Sequence, residues 1–146
     1  MPVLFQKVYY REDARRNPDV LYVFGDNVRR IGLGGQAKEM RHEPNAIGVA
    51  TLYAPGDYFG SDRAEVVAQN RIVDQDMKPL FAQLVRGGIV VWPTDGIGTG
   101  LANLETYAPD TFQHVREKLA ALIRVGKLFD RGRVEEAKSE AAPHLS

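Results

Sequence analysis

The sequence predicts an α/β domain built on a layered, predominantly parallel sheet, and three observations carry that expectation. Residues 20–24 and 89–92 are almost continuously apolar runs, which suit strands covered on both faces. Segments with helical spacing separate the runs, the alternation expected of a layered α/β sheet. Two glycine-rich loops each follow such a run, where sheets of this class open their ligand crevice beyond the carboxyl ends of the strands.

In chain order, residues 3–10 are rich in β-branched and aromatic types and read as a first strand, followed by a charged stretch with the turn-forming Asn17, Pro18 and Asp19. The second strand covers residues 20–24 and stops at Gly25. Residues 35–42 contain good helix formers and predict a short helix entered through glycine. Residues 45–50 read as another buried strand. A polar loop with Pro55, Gly56 and Gly60 leads to Ser61 or Asp62, either of which can cap a helix start. Helical spacing continues through Val66, Val73, Met77, Leu80 and Leu84. Pro79 would clash with the preceding turn, so a break near residues 74–78 and two consecutive helices are expected, ending at Gly87 and Gly88.

Residues 89–92 give the strongest strand signal, with Trp92 in the core, and Pro93 cannot donate a ladder bond. Pro109 suits the first turn of a last helix, whose stripe of Phe112, Val115, Leu119, Leu122 and Ile123 runs toward a stop at Gly126. Residues 1–128 then form the single domain. Residues 129–146 form a charged, alanine-rich tail, either a surface helix or disordered.

Composition narrows the function classes. A length of 146 residues suits one domain and one site. Nineteen basic and nineteen acidic residues cancel, so no overall field draws the chain to nucleic acid or anionic lipid, which leaves room only for a local basic patch. The absence of cysteine excludes disulfides, a thiolate nucleophile and thiolate-held metals. No apolar run has the length of a membrane span and the N-terminus lacks a secretory core, so a soluble, cytoplasmic protein without a membrane partner is expected.

The chemistry lies in the two loops. The first holds Gly25, Asp26, Asn27, Gly32, Leu33, Gly34, Gly35 and Gln36; the second holds Thr94, Asp95, Gly96, Ile97, Gly98, Thr99 and Gly100. Glycines admit positive φ and let backbone N–H groups approach a phosphate, and a helix start offers further donors. Neither loop has the Walker lysine, and Gly32, Gly34 and Gly35 do not complete a dinucleotide fingerprint. One such loop is ordinarily a tight connection. Two of them, with Asp, Asn and Thr interleaved, predict a nucleotide or phosphate gripped from both sides.

Phe24-Gly25-Asp26-Asn27, then Gly32-Leu33-Gly34-Gly35-Gln36-Ala37, Ile47-Gly48-Val49-Ala50-Thr51, and the run from Val91 to Gly100 together resemble macrodomain-like proteins of the small bacterial and phage type. The resemblance spans about residues 20–125. It implies a three-layer α/β/α fold with a mixed, mainly parallel sheet, and ADP-ribose or an ADP-ribosylated substrate as partner, with no cofactor. Nucleic acid enters only as a modified substrate. By that likeness Asn27 addresses the ribose, Gly34 and Gly35 the phosphate edge, residues 96–100 clamp the second phosphate, and Thr51 points into the same crevice. Asp26 and Asp95 are the acidic candidates, and hydrolysis of an ADP-ribosyl linkage would use Asn27 to orient and Asp26 as base. The family's paired asparagines before the glycine run are absent, which weakens the carry-over of hydrolase activity. The other readings are a non-catalytic sensor or sequestering module for a nucleotide signal, and an interaction domain whose glycines only make turns.

The remaining polar residues read as structural. His42, His114 and His144 lack metal-ligand spacing and read as surface or capping groups. Arg29 and Arg30 suit either a phosphate or solvent. Tyr53, Tyr58 and Phe59 suit burial, with stacking on adenine as the alternative. Lys38 reads as exposed, and Ser61 lacks a nearby base and reads as a cap.

Overall fold

The computed structural model describes residues 2–146 and places five strands in one sheet. The order across the sheet is β1 (Val3–Gln6), β5 (Ile89–Pro93), β2 (Val20–Asn27), β3 (Ala46–Ala54) and β4 (Asp57–Tyr58). The first three pairings are parallel and β3 with β4 is antiparallel, giving the mixed, mainly parallel sheet expected.

Side chains alternate across a strand, and here both faces are covered. Val23, Val49, Val90 and Trp92 point to one side. They pack there against Val73, Met77, Leu80 and Leu84 of α3 (Arg63–Val85), Val115 and Leu122 of α5 (Pro109–Asp130), and α6 (Val134–Ala141). Tyr22, Phe24 and Val91 point to the other side and meet Tyr9, Ala14 of α1 (Arg11–Arg16), and Ala37 and Met40 of α2 (Ala37–Met40). The fold is therefore three layers, α/β/α. A short α4 (Leu104–Tyr107) links the second loop to α5.

Several local expectations are corrected. The first strand ends at Gln6, four residues early, because the chain turns so that Tyr9 packs on the sheet. The charged stretch after it is helical, its start tied by Asp13, which accepts from the Tyr10 amide at 3.3 Å. β2 runs through Gly25 to Asn27, so Asp26 and Asn27 lie in the strand and not in the loop. The 35–42 helix contracts to the four residues of α2. Strand β3 continues to Ala54 and is followed by β4, where a loop was expected.

Helix α3 passes through Pro79 unbroken. The lost N–H bond is outweighed by packing, since Met77, Leu80, Phe81 and Leu84 are all fully buried around it. Of the two caps proposed, Asp62 holds the place and accepts from the Ala64 amide at 3.2 Å. Gly126 does not stop α5. A Cβ there would lie 3.2 Å from Val3 Cγ2, so glycine lets the helix approach the start of β1. The stop comes at Gly132, whose φ of 77° ends the helix. The tail joins the core: Ala137 and Ala141 of α6 are fully buried. No helix among the described residues is long and apolar enough to cross a membrane.

Candidate functional site

The site begins where the sheet splits. β2 and β5 pair only from Val20 to Tyr22 and from Ile89 to Val91, and then they diverge. At the fork the Tyr9 hydroxyl donates toward the Val23 carbonyl at 2.7 Å and lies 3.2 Å from that of Val91. Burial pushes its pKa strongly upward, so the phenol keeps its proton and stays a donor. Beyond the fork the second loop closes on β2. A Cβ on Gly25 would lie 3.5 Å from Ile97 Cβ and 3.6 Å from the Gly98 nitrogen.

The first loop is tied down by buried polar side chains. Asp26, whose side chain is 2% exposed, binds Arg41 Nη2 at 2.5 Å and Nη1 at 3.3 Å. Arg41 Nε in turn donates to the Gly32 carbonyl at 2.7 Å. Arg30, held at a φ of 54°, sits 3.6 Å from Asp26 and binds Asp76 at 2.5 Å, while Asp76 accepts from the Ala50 amide at 2.8 Å. The Asn27 side chain donates to the Ile31 carbonyl at 2.8 Å and accepts from the Ile31 amide at 3.3 Å. Gln36 accepts from the Gly25 amide at 3.1 Å. Asp26 and Asn27, the two candidate catalytic groups, are thus buried members of the loop's own frame. Helix α2 is a single turn, so the helix start expected at this point contributes little dipole.

The second loop is held by backbone and by close packing. Gly96 and Gly98 have φ of 84° and 71°. A Cβ on Gly98 would meet Leu104 at 3.0 Å and Thr51 Cγ2 at 3.1 Å, and the Gly98 carbonyl accepts from the Leu104 amide at 2.8 Å. Thr94 and Asp95 are exposed, and Thr99 Oγ1 donates to the Asp95 carbonyl at 3.0 Å. Space around Gly34, Gly35 and Gly100 is open, with no atom within 4 Å of an added Cβ. The amides of Gly32 to Gly35 and of Gly98 to Gly100 donate to no acceptor among the described residues. Leu33 and Leu101 stand 62% and 94% exposed on the two loops.

The structure therefore brings together Gly25, Ile97, Gly98 and Thr51, and it leaves Gly34, Gly35 and Gly100 facing open space. Arg30 faces carboxylates, whereas Arg29 and Lys38 are exposed. Phe59 is buried edge-on against Tyr53, while Tyr58 stacks on Tyr107 at 4.4 Å. Sequence reasoning passed over Arg41, Asp76 and Tyr9. None belongs to a periodic or motif pattern. His114 and His144, read as surface or capping groups, are partly exposed and have specific partners. His114 Nε2 lies 2.6 Å from Asp74, and His144 Nδ1 lies 2.7 Å from Lys118 Nζ with its ring stacked on Phe81. Among the described residues no group of three or more His, Asp or Glu side chains could hold a metal ion.

The chain matches a family of unknown function (DUF7831) over residues 4–118. No curated protein and no solved structure matches it.

Proposed function

The chain belongs to the DUF7831 family, and from that premise we propose that it binds ADP-ribose, or a related nucleotide diphosphate, between its two glycine-rich loops. The resemblance to macrodomain-like proteins names the ligand class. One observation carries the reading: two loops follow the split carboxyl ends of neighbouring parallel strands, each presenting unpaired amides beside glycines that face open space. Amides so arranged suit a diphosphate, whose oxygens accept several hydrogen bonds at once.

Binding without turnover is the form favoured. Hydrolysis through Asp26 needs a carboxylate that can reach water, but that group is bound to Arg41 and buried. The Asn27 amide is likewise spent on Ile31. The reading is thus a sensor or sequestering module for a nucleotide signal, with removal of ADP-ribose from a substrate as the lesser alternative.

Isothermal titration with ADP-ribose, with AMP and ribose 5-phosphate as controls, tests it. Saturable binding selective for ADP-ribose supports the two-loop clamp. Absence of a binding isotherm overturns it.

A further inference from the structure

On a chain whose charges cancel, one groove collects cations. Arg124 and Lys127 of α5, Arg131 at its end and Arg133 at the start of α6 line a groove of ≈ 620 Å³, and Glu136 is the single carboxylate in that lining. Arg124 and Arg133 are steadied by Glu140 and Glu136 at 3.2 and 2.5 Å, and both remain more than half exposed. Lys127 and Arg131 are exposed and have no ion-pair partner among the described residues.

We propose that this groove is a docking surface for a nucleic-acid backbone, held by its phosphates. Arg124 and Lys127 on α5 and Arg131 at its C-terminal cap follow each other at three and four residues, so they rise along the groove in steps of about 4.5 and 6 Å. That is a row of cations and not a point. Guanidinium groups fork onto phosphate oxygens, and Ala120 and Ala121 in the lining leave room for a backbone to lie close. No lining residue is aromatic, so the contact runs through phosphate alone and carries no sequence preference.

Compensation of the helix dipole explains part of this pattern, since Lys127 lies in the last turn of α5. It does not explain Arg133, which belongs to the next element, or the groove between them. The surface is also separate from the loop cleft. Helix α5 starts beside α4 at the second loop, and its Gly126 already lies at the opposite end of the sheet, against Val3.

Fluorescence anisotropy of a labelled single-stranded oligonucleotide, titrated with the full chain at several salt concentrations, tests the proposal. Binding is expected at low salt and should weaken steeply as salt rises. Lys127→Gln/Arg131→Gln should lower affinity by roughly tenfold and reduce the log–log salt slope by about 1.4, while Arg71→Gln on α3 should change neither. Lys127→Glu/Arg131→Glu should abolish binding, with thermal midpoints of both variants checking that they fold. ADP-ribose binding by the same variants should be untouched, which separates this surface from the loop cleft. Absence of binding at low salt, equal binding by the double variants, or equally effective competition by poly-glutamate would each overturn it.

Discussion

The two glycine loops follow the neighbouring strands β2 and β5, yet they are built in opposite ways. The first is held by side chains: Asp26 on Arg41, Arg41 on Gly32, and Asn27 on Ile31. The second is held by backbone geometry, with Gly98 pressed between Leu104 and Thr51. The residues of the first loop that look most like chemistry are its scaffolding. What both loops leave free is backbone, and that is the part suited to a diphosphate.

Substitution can break this contrast, and the largest effect is expected in the first loop. Arg41→Ala leaves the buried Asp26 carboxylate only the more distant Arg30, 3.6 Å away, and should cost about 3 kcal/mol of stability, read from the denaturant midpoint. A loss below about 1 kcal/mol would mean that the pair is not what holds the loop. Gly98→Ala comes next. Its φ of 71° and the 3.0 Å approach of Leu104 predict about 1–3 kcal/mol of strain, so any loss of ligand there mixes folding with binding. Gly34→Ala separates the two, because its backbone is not left-handed and its surroundings are open. Stability should hold while ADP-ribose affinity drops about tenfold, about 1.4 kcal/mol, by titration. Unchanged affinity would move the ligand away from this loop.

The smallest effect lies outside the loops. Burial first, and then Lys118, hold the His144 pKa below its ordinary value of 6.5, against opposing pulls from Asp74 and Glu140. A lowered pKa favours the neutral ring in the folded state. Its contribution is therefore present above about pH 6.5 and is lost as pH falls through the lower folded value. Since the ring is partly exposed, the loss should stay under about 1 kcal/mol. His144→Gln should flatten the thermal midpoint against pH below 6.5; an identical slope in both proteins would exclude His144 as its source.

The layered sheet was legible because its central strands are buried on both faces and carry unbroken apolar runs. Their ends were not. Gly25 reads as a stop, but it is a site of close approach to Ile97, and the strand continues. Pro79 reads as a break, yet the burial of its neighbours outweighs one missing hydrogen bond. Both loops were visible as loops. The role of Asp26 was not, since its partner lies fifteen residues on and no periodicity links them. Nor was the burial of α6, because alanine packs into a core without producing an apolar stripe.

That last helix has a consequence for how the domain is made. Ala137 and Ala141 fill space against α3 and α5, so the larger core is incomplete until the segment carrying them has left the ribosome. A nascent chain halted before Val134 would present an uncovered apolar surface to chaperones and proteases. Folding should accordingly finish after synthesis of that segment, not strand by strand as the chain emerges.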